Sequence, residues 1–209
     1  MALVVVVDYG MGNLRSVEKA LIHLGTNDEI KVSSNPDDIA QADKIVFPGQ
    51  GAMPDCMKEL KARKLVEPIR LASTNKPFLG ICIGLQLLYQ RSQEGDVAGL
   101  GLMPGEVVKF SPDHGDLRGE KYKVPHMGWN KVRYLKDHFL FRNIPDSSFF
   151  YFVHSYCCLS SEDALTETEH GENFISSLAK DNIFAVQFHP EKSQTAGLGL
   201  YKNFLDWSI

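Results

Sequence analysis

The chain has 209 residues, which is enough for one domain with a substantial core and too few for two full enzymatic domains. Its hydrophobic fraction of 44% and charged fraction of 23% are those of an ordinary globular protein. The formal net charge of −4 gives no electrostatic case for nucleic acid as a partner. We therefore expect a single domain over residues 1–209 with one active site.

The first residues and the cysteines bear on the cellular compartment. The apolar run 1–7 has no basic start and ends at Asp8, far short of a signal peptide or membrane span, so it predicts a buried first strand. The four cysteines include no C-x-x-C pair, and the adjacent Cys157 and Cys158 are a poor start for a disulfide or a metal cage. We expect a cytoplasmic protein with no metal, no cofactor and no membrane contact.

The first half of the sequence predicts a parallel α/β arrangement, because short apolar runs alternate with helical spacing. The predicted strands are 3–7, 30–33, 44–47 and 78–81, and the predicted helices run to about Leu24, from Pro36, to about Leu71 and over 85–91. The turn at 8–13 is glycine-rich, but Arg15 stands where a dinucleotide-binding G-x-G-x-x-G needs its third glycine. The loop 48–54 is either an anion-binding nest or a plain turn.

The second half predicts a different pattern. Strands at 105–110, 132–134 and 149–153 alternate with polar turns, and residues 111–123 predict an exposed loop. A hairpin over 174–188 and a closing helix over 197–207 complete the chain. The predicted fold is an open, mostly parallel sheet flanked by helices, with additional antiparallel strands in the second half.

The most informative stretch surrounds Cys82. Gly80 and Gly84 lie two residues before and after it, which matches the G-x-nucleophile-x-G pattern of a nucleophile elbow with Cys in place of Ser. A thiol at such a strand-to-helix corner is favoured as the thiolate, which is the nucleophilic form. The competing interpretation is a small buried cysteine that closes a strand.

A second motif supplies what a cysteine nucleophile needs. Pro190 favours an extended His189, so His189 and Glu191 should lie on the same side of the chain. A carboxylate beside an imidazole fixes its tautomer and leaves the other nitrogen free as a base. His-x-Glu alone is often a chance surface pair, but together with the elbow it predicts a Cys-His-Glu triad.

With these motifs, the sequence resembles the class I (triad) glutamine amidotransferases over nearly its whole length. Gly-x-Cys-x-Gly-x-Gln with His-Pro-Glu is shared by many of them. The runs 125–130 and 151–156 are more specific and are similar to the glutaminase subunits of imidazole glycerol phosphate synthases. Gln50 and Ile83 depart from that pattern, where Val and Leu are more usual, and the 111–123 loop is longer; none of these differences touches the triad.

The resemblance implies glutamine hydrolysis, with Cys82 as nucleophile and His189 and Glu191 as base and orienting carboxylate. It also implies backbone oxyanion donors at Gly51 and Ile83. The substrate-binding residues that it implies are Gly51, Gln86, Glu94, Ser155 and Tyr156. Glu94 is the expected counter-ion of the substrate ammonium, although a solvated surface carboxylate is the alternative.

The same resemblance implies a heterodimer with a (β/α)₈-barrel cyclase subunit of histidine biosynthesis, which would receive the ammonia. Interface residues by position are Asn13, Trp129, Tyr151 and Lys192; core packing is the alternative for the two aromatic residues. Three other functions remain open: ammonia supply to a nucleotide-sugar pathway, a stand-alone γ-glutamyl hydrolase, and a silent regulatory subunit. The complete triad argues against the last.

Overall fold

The computed structural model describes residues 1–111 and 122–209, and a mixed sheet of nine strands runs through its centre. The strand order is β2-β1-β3-β4-β13-β12-β11-β8-β9, in which the first five strands are parallel and the rest antiparallel. Their bounds are β1 Leu3–Val7, β2 Glu29–Ser33, β3 Lys44–Gly49, β4 Phe78–Cys82, β8 His126–Tyr134, β9 Ser148–His154, β11 Ala164–His170, β12 Glu172–Lys180 and β13 Ile183–Val186.

The helices flank this sheet. They are α1 Leu14–His23, α2 Pro36–Gln41, α3 Met53–Ala62, α4 Val66–Ala72, α5 Ile83–Gln86 and α6 Gln194–Asp206. α1 packs against α6, and α2 packs against α4. Strands β1, β3 and β4 are buried along almost their whole length, as expected for parallel strands covered on both faces. None of the helices among the described residues combines the length and apolar character that crossing a membrane requires.

The predicted fold class is confirmed, including the parallel first half and the antiparallel second half. The sequence did not indicate the second sheet, which has four strands in the order β10-β7-β5-β6. Its strands are β5 Tyr89–Ser92, β6 Val97–Ala98, β7 Met103–Lys109 and β10 Tyr156–Cys157. The predicted exposed loop at 111–123 lies mostly outside the described residues.

One predicted helix is wrong. The spacing of 85–91 predicted a helix, but α5 ends at Gln86 and the chain then enters β5. The carbonyl of Leu88 accepts hydrogen bonds from the backbone N-H groups of Leu102 and Met103. These bonds lie where the parallel pairing of β5 with β7 begins. This long-range pairing outweighs the local helical preference, so the chain turns away from the elbow after a single helical turn.

Two lysine side chains donate hydrogen bonds at the amino ends of the central strands. Lys44, the first residue of β3, donates to the backbone carbonyls of Phe204, Leu205 and Trp207 at the end of α6. Lys76, just before β4, donates in the same way to Ala40 and Ala42 at the end of α2, at 2.6 and 2.5 Å. Each ammonium therefore satisfies carbonyls that a helix end leaves without partners.

Candidate active site

Cys82 lies at the carboxyl end of β4, between β3 and β13. It is paired with Gly49 of β3, and only 4% of it is exposed. Its backbone adopts φ 55° and ψ −109°, a conformation that side-chain-bearing residues rarely take and that costs about 1–3 kcal/mol. Since α5 begins at the next residue, the strand turns into the helix at Cys82 itself, which is the geometry predicted for a nucleophile elbow.

The two flanking glycines are required by close packing. A Cβ on Gly84 would lie 1.9 Å from the carbonyl oxygen of Phe47 in the neighbouring strand. A Cβ on Gly80 would lie 3.0 Å from the carbonyl oxygen of Gly84 and 3.1 Å from Cβ of Ala185. The G-x-C-x-G spacing is therefore set by contacts between β4, α5 and their neighbours, and no side chain fits at Gly84 unless the backbone shifts.

His189 and Glu191 form a buried pair, as their spacing indicated. Nδ1 of His189 lies 2.8 Å from Oε1 of Glu191, and the two side chains are only 6% and 1% exposed. The other carboxylate oxygen of Glu191 accepts from the hydroxyl of Tyr201 at 3.5 Å. Glu191 thus holds the imidazole with a proton on Nδ1, and Nε2 is left as the nitrogen that can act on a substrate.

The charge of His189 depends on its neighbours. Burial of the imidazole by itself lowers its pKa, but the side chains of Cys82 and Glu191 raise the pKa of His189 to about 10. The thiol therefore lies within electrostatic reach of the imidazole. Nε2 is buried and makes no hydrogen bond to another described residue. The protonated imidazole of His189 therefore provides a proton donor beside the thiol of Cys82.

A cavity of about 300 Å³ opens beside the thiol. The sequence-predicted catalytic, oxyanion and substrate residues that line this one cavity are Cys82, His189, Gly51, Ile83, Gln86, Glu94, Ser155 and Tyr156. Its volume is at the lower end of the range for small-molecule sites, which suits a ligand of amino-acid size. Glu191 lies behind His189 and does not line the cavity.

The positions and backbone conformations of three of these residues suit their predicted roles. The carboxylate of Glu94 accepts from the backbone N-H of Met53 at 2.8 Å, so it is fixed at the start of α3 and is not a free surface carboxylate. Gly51 has φ 99°, which favours glycine there. Ile83 is the first residue of α5, a position whose N-H has no acceptor within the helix.

Sequence reasoning missed the role of Gln187. This residue is fully buried, and its Nε2 lies 3.7 Å from Sγ of Cys82. Its Oε1 accepts from Nε2 of Gln86 at 3.0 Å. The available signal was a glutamine within the apolar run 183–188, because a buried amide needs polar partners. His154, which also lines the cavity, was likewise missed.

The predicted interface residues fall into two groups. Trp129 and Tyr151 are paired across β8 and β9 with their rings 6.1 Å apart, and Nζ of Lys192 lies 5.4 Å from the ring of Tyr151. Trp129 is 45% exposed, so it is not a core residue. The second group is Asn13 alone, immediately before α1 and next to Gly12, which lies close to the backbone of Gly49.

Comparison with known proteins decides the family. The model of the family "Glutamine amidotransferase class-I" matches residues 5–207. The chain belongs to the class I glutamine amidotransferases. It is 52% identical to "Imidazole glycerol phosphate synthase subunit HisH" of Aromatoleum aromaticum over the whole of both chains. The protein of the same name from Nitrosospira multiformis is also 52% identical, with 99% of each chain covered.

Solved structures of amidotransferases share the fold. The chain superposes on "Structure of PurLQS from Thermotoga maritima" with a TM-score of 0.72, 19% identity and 99% of each chain covered. A structure titled "Crystal structure of glutamine amidotransferase" gives a TM-score of 0.70 at 17% identity, with 97% of each chain covered. These structures show the shared fold, while the family model and the 52% identical relatives confirm the sequence-based assignment to the class I amidotransferases.

Proposed function

We propose that this amidotransferase hydrolyses the side-chain amide of glutamine and is the glutaminase subunit of an imidazole glycerol phosphate synthase. Its ammonia would pass to a (β/α)₈-barrel cyclase subunit, which makes imidazole glycerol phosphate and AICAR in histidine biosynthesis. The observation that carries the proposal is the cavity where Cys82, His189 and Glu94 meet, in a chain 52% identical to subunits of that name.

The geometry supports a two-step reaction. The Cys82 thiolate attacks the side-chain carbonyl carbon of glutamine, and the oxyanion is stabilised by backbone N-H groups of Ile83 and Gly51. The C-N bond breaks as His189 gives its Nε2 proton to the leaving nitrogen, which releases ammonia and leaves a γ-glutamyl thioester. Water then loses a proton to His189 and attacks the thioester, so that glutamate leaves and the thiolate is restored.

The cavity offers recognition for the amino-acid end of the substrate. The fixed carboxylate of Glu94 suits the α-ammonium group, and Oε1 of Gln86 is a buried acceptor without a partner among the described residues. Ser155 and Tyr156, which also line the cavity, complete the predicted substrate set. An amino acid bearing a positive charge and a neutral side-chain amide matches these groups.

The proposed partner surface is the cluster of Trp129, Tyr151 and Lys192, together with Asn13. Met127, which precedes Trp129 on the same face of β8, is 63% exposed, so the strand presents two large apolar side chains to solvent. Such residues are the usual anchors of protein interfaces. We place the heterodimer in the cytoplasm, which suits four free cysteines.

The proposal is tested by measuring glutamate release with and without a barrel cyclase subunit of a synthase from a relative. We expect the barrel subunit to stimulate glutamine hydrolysis and Lys192→Ala to blunt that stimulation by about tenfold. Lys202→Ala, which removes an exposed lysine paired with Asp206 on α6, is the matched control and should behave like the unsubstituted chain. Full activity of the isolated chain, without any gain from the barrel subunit, would instead indicate a stand-alone hydrolase.

A further inference from the structure

A continuous chain of hydrogen bonds ends on the sulfur of Cys82. It begins at Asn130 in β8, passes through His126 and His154, reaches the backbone carbonyl of Tyr156, and continues through two glutamine side chains. Both histidines and both glutamines are at most 6% exposed. The proposed reaction does not use the side chains of Asn130, His126 and His154. The hydrogen bonds among these three buried or partly buried side chains therefore need a separate explanation.

The direction of each hydrogen bond follows from two backbone carbonyls, which can only accept. Nδ2 of Asn130 donates to the carbonyl of Glu169 at 2.8 Å, so its amide nitrogen is also the atom that faces Nε2 of His126, at 3.2 Å. His126 therefore accepts at Nε2 and carries its proton on Nδ1, which lies 3.0 Å from Nε2 of His154. His154 in turn donates from Nδ1 to the carbonyl of Tyr156, at 2.9 Å.

Both histidines are neutral, as this pattern requires. Burial, followed by the neighbouring His154 and His170, lowers the pKa of His126 to about 2. Burial is also the main cause that lowers the pKa of His154 to about 3. Each imidazole therefore has one donor and one acceptor nitrogen at neutral pH.

The same carbonyl orients the two glutamines. Tyr156 O accepts from Nε2 of Gln86 at 2.9 Å, so the second N-H of that amide points at Gln187, 3.0 Å away. The atom of Gln187 that receives it must be Oε1. Nε2 of Gln187 is then turned toward Sγ of Cys82, at 3.7 Å. The sulfur faces a hydrogen-bond donor, and the opposite amide orientation would place two donors against each other.

We propose that Gln187 is a further catalytic residue, whose amide donates a hydrogen bond to the Cys82 thiolate and holds the sulfur for attack. Gln86 orients Gln187, and His126 and His154 position the carbonyl that orients Gln86. A donor to sulfur favours the charged thiolate over the neutral thiol, because hydrogen bonds to an ion are stronger than those to a neutral group. This role rests on Cys82 being the nucleophile of the proposed reaction.

Other titratable side chains also lie near the thiol. His189 faces Cys82 from the turn after β13, while Tyr9 and Cys56 face it from the other side. Burial raises the pKa of Tyr9, and burial raises the pKa of Cys56 to about 11, so both are neutral at pH 7. Tyr9 and Cys56 thus add no charge beside the sulfur, whereas a protonated His189 adds positive charge and Gln187 donates the hydrogen bond seen at Sγ.

The test is the pH dependence of Cys82 alkylation by iodoacetamide in the isolated full chain, followed by mass spectrometry. In Gln187→Met, which keeps the side-chain length and removes the donor, the midpoint should rise by about one pH unit, with about a tenfold lower alkylation rate at a pH below both midpoints. Gln187→Glu should raise the midpoint further, since a carboxylate repels the thiolate. An unchanged midpoint in both variants would overturn the proposal.

A matched control distinguishes an effect of Gln187 on the thiol from a general loss of stability. Asn182, at the opposite end of β13, is a buried amide that donates to the carbonyls of Ser73 and Lys76 at 2.8 and 2.6 Å. Asn182→Leu should lower the melting temperature and leave the alkylation midpoint unchanged. If iodoacetamide does not alkylate Cys82 in the unsubstituted chain, the proposed nucleophile fails. If it does, and the Gln187 variants have the same alkylation midpoint as the unsubstituted chain, only the role of Gln187 fails.

A measurement without substitution guards against variants that do not fold. In the chain labelled with ¹⁵N-glutamine, the side-chain N-H signals of Gln187 should shift with the same pH midpoint as alkylation. A signal that stays constant while the thiol titrates would contradict the hydrogen bond.

Discussion

The two ends of the central strands are built in opposite ways. At the amino ends of β3, β4 and β13, the side-chain donors of Lys44, Lys76 and Asn182 are all bonded to backbone carbonyls. At the carboxyl ends, Cys82 is strained, and three polar atoms near it are buried without a described partner. These atoms are Tyr9 Oη, Gln86 Oε1 and His189 Nε2.

This difference shows how the fold supports a reactive site. A buried polar atom without a partner costs about 1–3 kcal/mol, as does a strained backbone, so the carboxyl edge would be unfavourable by itself. The saturated amino edge and the buried parallel strands hold the same elements in place from the other side. Two of these three atoms belong to Gln86 and His189, which line the cavity, so a substrate would meet them there.

The largest effect should come from removing the triad. Cys82→Ser and His189→Ala should each lower glutaminase turnover by about 10⁴-fold or more, because they remove the nucleophile and the proton carrier. Glu191→Gln should cost less, since Glu191 orients the imidazole without touching substrate. Single-turnover assays measure the order of these losses. A Glu191 variant with lower turnover than the His189 variant would contradict these roles.

The next effect tests the close packing at the carboxyl edge. Gly84→Ala should lower the free energy of unfolding by about 3 kcal/mol, because the new Cβ would meet the carbonyl of Phe47 and force β3 and α5 apart. Gly101→Ala controls for the loss of a glycine with φ 68° at a place with no close neighbour. Chemical denaturation measures both, and equal losses would show that packing at Gly84 is not the constraint.

A third change tests the amino edge. Lys76→Met should lower the free energy of unfolding by about 2 kcal/mol, because the carbonyls of Ala40 and Ala42 lose a charged donor. Glutaminase turnover of the folded variant should stay within about twofold of the unsubstituted chain. A large loss of turnover with unchanged stability would mean that the two edges are not separable.

Some parts of the fold and of the site could be predicted from the sequence, and others could not. The β-branched run of β1 and the G-x-C-x-G motif could be predicted because each pattern lies within a short stretch of sequence, although the contacts that require glycine at Gly80 and Gly84 include residues of β3 and β13. The Gln187 contact could not, because it joins residues 105 positions apart. The wrong helix at 85–91 has the same origin, since only pairing with β7 shows that Tyr89 begins a strand.

The smallest expected effect tests the backbone strain at Cys82. Glycine normally destabilises a protein by about 0.5–1 kcal/mol relative to alanine, but at φ 55° the order should reverse. Cys82→Gly should therefore be more stable than Cys82→Ala by about 1 kcal/mol, although both are inactive. Thermal denaturation compares the two, and a more stable alanine variant would show that the backbone at Cys82 carries no strain.

The central claim is that Cys82 at this elbow is the nucleophile toward glutamine. Its most direct test is labelling with a chloroketone analogue of glutamine, followed by mass spectrometry of the digested chain. We expect one label, on Cys82, that excess glutamine prevents, and none on the buried Cys56, Cys157 or Cys158. A label on one of those three cysteines, or labelling of Cys82 that glutamine does not slow, would contradict the account.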